Sequence, residues 1–181
     1  PAKPWFLWVH YLDPHAPYIP PVEFQARFQN DEHFDGTAVI PVSNKHKQEL
    51  AGIGKGQVIN GEKRLAFYVA RYDAEIAYVD QEIGRLLAEM GKQQLLDDTL
   101  TAFTSDHGET MGDHGLTHKG CRFYEGLSHV PFLVSWPKRV GKGIRSDALV
   151  ELTDIVPTLL EAAGLPLPNY LHGKSLLPIL T

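Results

Sequence analysis

A single cysteine, Cys121, is all the chain contains, so no disulfide can form within it and the redox compartment stays open. No apolar run approaches the roughly 20 residues that cross a bilayer. Positive charge is not in excess. The net charge of -5 argues against a broad basic face for nucleic acid, although a local cationic pocket stays compatible with it. Internal repeats and low-complexity tracts are missing, and no secretory signal opens the chain. The first residue is Pro1 rather than Met, and an apolar stretch follows within a few residues. The expectation is a segment of something longer, with any signal peptide upstream of Pro1 and localisation left open. What is there is ordinary. With 181 residues, 43% hydrophobic and 22% charged, the chain has the composition of a globular domain with a core.

Trp5-Phe6-Leu7-Trp8-Val9-His10 is apolar without alternation and predicts a strand buried on both faces. The four prolines between Pro14 and Pro21 forbid a helix and stiffen the loop that follows. From Phe34 to Gly61 the chain is rich in Gly, Lys, Asn and Pro and reads as a surface excursion. Within it, Gly52-Ile53-Gly54-Lys55-Gly56 is neither a dinucleotide fingerprint nor a Walker motif, and reads as a mobile turn. The clearest helix runs from about Glu62 to Met90. Leu65, Val69, Tyr72, Ile76, Val79, Ile83, Leu86 and Met90 step by four and three along one face, and Gly91 is the expected stop. Strands are expected over Thr99–Thr104 and Val130–Trp136, with a short one at Ala148–Leu152. Asp154 is the expected N-cap of a helix over Ile155–Ala163, ended by Gly164. Strands separated by helices predict a layered α/β sheet with parallel pairings.

Ligands of open α/β sheets gather beyond the carboxyl ends of strands, and two such ends carry polar clusters. One is Asp13-Pro14-His15; the other is Asp106-His107-Gly108-Glu109. A carboxylate beside an imidazole is a common divalent-metal pair, and Gly108 lets backbone approach closely. The competing reading is a polar turn in which Asp106 caps the next segment and His107 is solvated. Asp113-His114-Gly115 repeats the triplet, as further ligands or as turn chemistry. Lys119 is either a solvated surface charge or an ammonium held for an anionic substrate oxygen. His15 is either a loop histidine bonded to backbone or a proton donor on a rigid loop.

In combination these stretches resemble the sulfatases of the alkaline-phosphatase superfamily. The resemblance rests on Phe6 to Tyr18, on Tyr72-Asp73-Ala74-Glu75-Ile76-Ala77-Tyr78-Val79-Asp80 with Gly84, and on Thr104 to Lys119-Gly120. It continues through Phe123-Tyr124-Glu125-Gly126, Val130-Pro131, Val150 to Gly164, and Gly173-Lys174-Ser175-Leu176-Leu177. It implies an alkaline-phosphatase-like α/β fold with a mostly parallel central sheet flanked by helices. It also implies that Asp106 and His107 ligate a divalent cation, usually calcium. Lys119 is then the lysine that contacts sulfate and the bridging oxygen, and His15 the histidine that contacts sulfate and assists leaving-group departure. His114, His118 and Glu109 receive no such role.

The family's nucleophile is a formylglycine made from Cys or Ser in a Cys/Ser-x-Pro-x-Arg motif, and no such motif occurs here. Cys121 is followed by Arg122-Phe123-Tyr124-Glu125, without the required Pro and Arg. The resemblance therefore implies that residues 1–181 are the middle-to-late part of a sulfatase catalytic domain, with the formylglycine region upstream. Two protein ligands fall short of the roughly six to eight that calcium takes, so the chain alone is expected to turn over no sulfate ester. The implied substrate is a small-molecule or glycan sulfate ester. Alternatives are a phosphate or phosphonate monoester hydrolase of the same superfamily, or a non-catalytic fragment. No nucleic-acid or membrane role is expected, and Trp5, Phe6 and Trp8 are expected to lack neighbours.

Overall fold

The computed structural model describes residues 3–29, 36–43, 52–120 and 122–180. Cys121 lies outside them. In chain order the elements are α1 (Val22–Phe28), β1 (Val42–Ser43), β2 (Ile53–Gly54), α2 (Leu65–Lys92), β3 (Thr101–Thr104), α3 (Glu125–Ser128), β4 (Phe132–Ser135), α4 (Ile155–Ala162) and α5 (Leu177–Leu180). They fall into two compact units, Pro1–Gln93 with His107–Val130, and Gln94–Asp106 with Pro131–Thr181.

In the first unit, α1 packs on α2. Phe24 meets Tyr78 edge to face, with ring centroids 5.4 Å apart, an arrangement aromatic quadrupoles favour. The core beside them joins Tyr18, Ile40, Ile53 and Tyr68. The expected surface excursion thus supplies two buried isoleucines, because β1 and β2 pair in parallel, Val42 with Ile53 and Ser43 with Gly54. The glycine-rich stretch is correspondingly held rather than loose: Gly52 N–H donates to Thr117 Oγ1 at 3.0 Å, and Thr117 Oγ1–H donates to the Gly52 carbonyl at 2.6 Å.

Helix α2 lies within two or three residues of its expected bounds, and its stripe is buried or half-buried except at Ile76. Tyr68, Val69, Ala74 and Glu75 are buried, whereas Ile76 is exposed. The loop before α1 covers the flank that carries Glu75, which adds a buried polar group beside the apolar stripe. Gly91 does not stop the helix. The Gln93 N–H still reaches the Glu89 carbonyl, and Gln94 takes the left-handed conformation at φ 57°.

The second unit holds β3 and β4, paired antiparallel from Thr101 opposite Ser135 to Thr104 opposite Phe132. A mostly parallel central sheet is not shown among the described residues. Among the described residues the connection from β3 to β4 holds the 3₁₀ turn Asp113–Gly115 and the four-residue α3, not the long crossover helix that usually returns a parallel strand. Ala148–Leu152 forms no strand; Leu152–Asp154 is a 3₁₀ turn. Helix α4 forms as expected, and Gly164 follows it in the left-handed conformation at φ 69°. Asp154 acts differently from a simple N-cap: its carboxylate accepts the N–H groups of Glu151 and Lys174, tying the later chain to the helix start.

Trp5–His10 is extended but pairs with no strand among the described residues. Phe6 and Trp8 are each 74% exposed. Without a ladder partner the expected strand has nothing to bond to.

Candidate functional site

Three segments of the first unit carry candidate side chains. The loop 13–19 holds His15, the segment 107–112 follows β3, and the segment 117–119 holds Lys119. Asp106, the last residue of the second unit's β3 segment, is the chain neighbour of His107.

His15 is exposed and turns back on its own loop, with Nδ1 2.8 Å from the Ala16 carbonyl. His107 repeats the pattern, with Nδ1 2.8 Å from the Gly108 carbonyl. A carbonyl only accepts, so each Nδ1 carries the proton and each lone pair sits on Nε2. A metal-ligating histidine commonly makes this contact, which orients the ring and sets its tautomer. For His15 this is the loop histidine bonded to backbone, and the bond fixes which way its ring faces.

Gly108 sits where only glycine fits. Its N–H donates to the Leu127 carbonyl at 2.9 Å, and a Cβ there would overlap the Gly126 carbonyl oxygen. Past it, Met111, Gly112, His114 and Gly115 all have positive φ, which folds Asp113-His114-Gly115 into a tight turn. His114 stacks on Tyr124 at 3.9 Å and 20°. The repeated triplet is turn chemistry.

Buried hydroxyls tie the segments together. Thr110 donates to the His118 carbonyl at 3.0 Å, and Thr117 locks onto Gly52 as described. Lys119 thus follows two residues whose positions are set by backbone-directed bonds. His118 lines a small apolar cavity with Tyr18, Ile40, Leu65, Tyr68 and Met111. Tyr18 Oη–H donates to Glu109 Oε2 at 3.4 Å. Burial, and then the Glu109 charge, push the Tyr18 hydroxyl pKa well above its ordinary value.

Glu75 is the residue that motif reasoning missed. It is 2% exposed, and Oε1 accepts the Ile19 N–H at 2.6 Å. Burial foremost, with Asp13 adding to it and the Ile19 N–H and Arg71 opposing, pushes its carboxyl up to about 7. A glutamate beside Tyr72 and Ile76 on the apolar side of a helix was the available signal. The fold favours the protonated form, so this contribution is intact below the unfolded value of 4.5 and is lost as pH rises through about 7. Glu75→Gln should therefore flatten the fall in melting temperature across that window, read by thermal denaturation at several pH values; an unchanged slope counts against the buried charge as its cause.

Among the described residues, no group of three or more His, Cys, Asp or Glu side chains is placed to hold a metal ion. Asp106 and His107 carry a carboxylate and an imidazole, side chains of the types that ligate divalent cations. No helix among the described residues is long and apolar enough to cross a membrane.

Comparison with known proteins bears on this arrangement. The family model described as Sulfatase matches residues 1–165. An arylsulfatase of Clostridium perfringens is 36% identical over 181 residues, 97% of this chain and 37% of that protein. The solved structure of BT4656 in complex with its substrate D-glucosamine-2-N,6-O-disulfate is 38% identical with a TM-score of 0.60, covering 64% of this chain and 23% of that one. The yidJ protein of Bacteroides fragilis is 25% identical with a TM-score of 0.70, covering 93% and 34%. The chain spans little more than a third of the length of the curated relatives it matches over nearly its whole length.

Proposed function

Because this chain belongs to the sulfatase family, we propose that the protein hydrolyses sulfate esters and that residues 1–181 form part of its catalytic domain. The substrate is a small-molecule or glycan sulfate ester. The observation that supports this best is the turn after β3, where Gly108 permits a close backbone approach and the His107 ring is oriented through Nδ1.

Each residue then has a role. Asp106 and His107 supply a carboxylate oxygen and Nε2 to a divalent cation, with calcium the proposed ion. Lys119 binds a sulfate oxygen and the bridging oxygen, countering the negative charge that develops as the ester bond breaks. In its imidazolium form, with Nδ1–H still held by the Ala16 carbonyl, His15 gives its Nε2 proton to the departing alcohol or phenol. When bound, a divalent cation held by Asp106 and His107 would supply Lewis-acid polarisation of the sulfate, and a formylglycine would supply the nucleophile.

The whole protein should hydrolyse an aryl sulfate faster than the matching phosphate monoester, and chelation should abolish the activity until calcium is restored. Initial rates on the two esters check this. A preference for the phosphate ester would move the protein to the phosphate or phosphonate monoester hydrolases, and persistence in chelator would remove the metal role of Asp106 and His107.

A further inference from the structure

One peptide group of the His15 loop is gripped at both ends by a single helix. The Tyr18 carbonyl accepts the Nε–H of Arg71 at 2.7 Å. The N–H of the same peptide, on Ile19, donates to Glu75 Oε1 at 2.6 Å. Arg71 and Glu75 are four residues apart, on adjacent turns of the same side of α2. The Arg71 bond comes from a charged guanidinium, which makes it stronger than an ordinary backbone bond. Arg71 is braced in turn by Gln25 Oε1 at 2.9 Å.

This clamp lies four residues beyond His15. Between them, Pro17 has a fixed φ, and Pro14 restricts the other side. The His15 N–H also donates to the Leu12 carbonyl at 3.0 Å. A displacement of the Tyr18–Ile19 peptide is therefore passed along a stiff loop rather than absorbed by it. The arrangement is costly where it need not be: among the described residues Glu75 Oε2 is buried with no hydrogen-bond partner, and an apolar side chain there would avoid leaving a carboxyl oxygen unsatisfied.

The geometry points to Arg71 and Glu75 as positioning residues that hold the Tyr18–Ile19 peptide so that the His15 imidazole meets the leaving-group oxygen. This rests on the reading of His15 as the group that protonates that oxygen. Neither residue touches the reacting atoms. Their effect runs through His15, so it should follow the demand for a proton and not the strength of substrate binding.

The test uses the whole protein and two sulfate esters, one with an activated nitrophenol leaving group and one with a simple alcohol. An alcohol departs poorly without protonation, whereas a nitrophenolate departs readily. His15→Ala should lower kcat on the alkyl ester about a hundredfold or more, and on the nitrophenyl ester far less. Glu75→Met keeps the side-chain volume but removes the acceptor. It should lower kcat on the alkyl ester about tenfold, in line with a small misplacement of a reacting group, and change the nitrophenyl ester about twofold at most. Glu75→Gln keeps an acceptor oxygen for the Ile19 N–H and should restore most of the alkyl-ester rate.

Equal losses on both esters in Glu75→Met, or no recovery in Glu75→Gln, would overturn the positioning role while leaving His15 in place. A His15→Ala variant without leaving-group dependence would overturn the His15 reading, and this proposal with it. Should Glu75→Met not fold, Arg71→Met releases the other end of the same peptide and carries the same expectation.

Discussion

Lys119→Ala in the whole protein should lower kcat/KM for a sulfate ester by about a hundred- to a thousandfold, the loss expected when one donor to developing negative charge is removed from a preorganised site. His118→Ala should leave kcat/KM far closer to that of the parent protein. The two residues are chain neighbours with different surroundings. His118 gives its carbonyl to Thr110, and it lines the small apolar cavity above β2. Shortening it removes packing but leaves that carbonyl bond in place, so a lower melting temperature is its expected mark. Lys119 follows the segment that Thr110 and Thr117 hold, and its ammonium is the proposed partner of the sulfate. Steady-state kinetics on both variants decides the assignment. Comparable losses in kcat/KM would mean that the segment matters as a scaffold and that Lys119 has no special role.

Gly108→Ala should be the most disruptive single methyl in the first unit. The added Cβ would overlap the Gly126 carbonyl oxygen and crowd the carbon that carries it. Neither obstacle is the flexible end of a side chain, so relief requires the turn after β3 to part from α3. That breaks the bond from Gly108 N–H to the Leu127 carbonyl and displaces His107 next to it. A loss of about 3 kcal/mol is expected, at the upper end for overpacking a tight contact, together with loss of the cation dependence of activity. Gly84→Ala is the matched control. Gly84 lies within α2 with no atom near its would-be Cβ, so alanine there should stabilise by about 0.5–1 kcal/mol through helix propensity alone. Thermal denaturation of the pair reads both effects. A Gly108→Ala melting curve like that of the parent would show that the turn can shift at little cost.

The parts of this protein legible in the sequence are those whose physics is local or motif-bound. The α2 repeat, the α4 stop at Gly164 and the two strand runs each depend on near neighbours in the chain, and each appears within a few residues of its expected bounds. Family membership was equally legible, because several ordered motifs recur at characteristic spacing, and the match over residues 1–165 agrees with it. The glycine at 108 was readable as a place for close approach, though not which backbone approaches it.

Other features needed the chain folded on itself. The buried face of α2 takes in Glu75 because the loop ending in Ile19 brings it an N–H donor, and no periodicity encodes a partner 56 residues away. The excursion around Ile40 and Ile53 joined the core because β1 and β2 pair across a gap in sequence. Trp5–His10 showed the reverse: strand composition without a strand, since a ladder needs a second strand that composition cannot supply. Residue types and their order are enough to specify helices, turns and a family's chemical vocabulary. Which polar group is buried, and which peptide it grips, is decided by long-range hydrogen bonds formed only when distant segments meet.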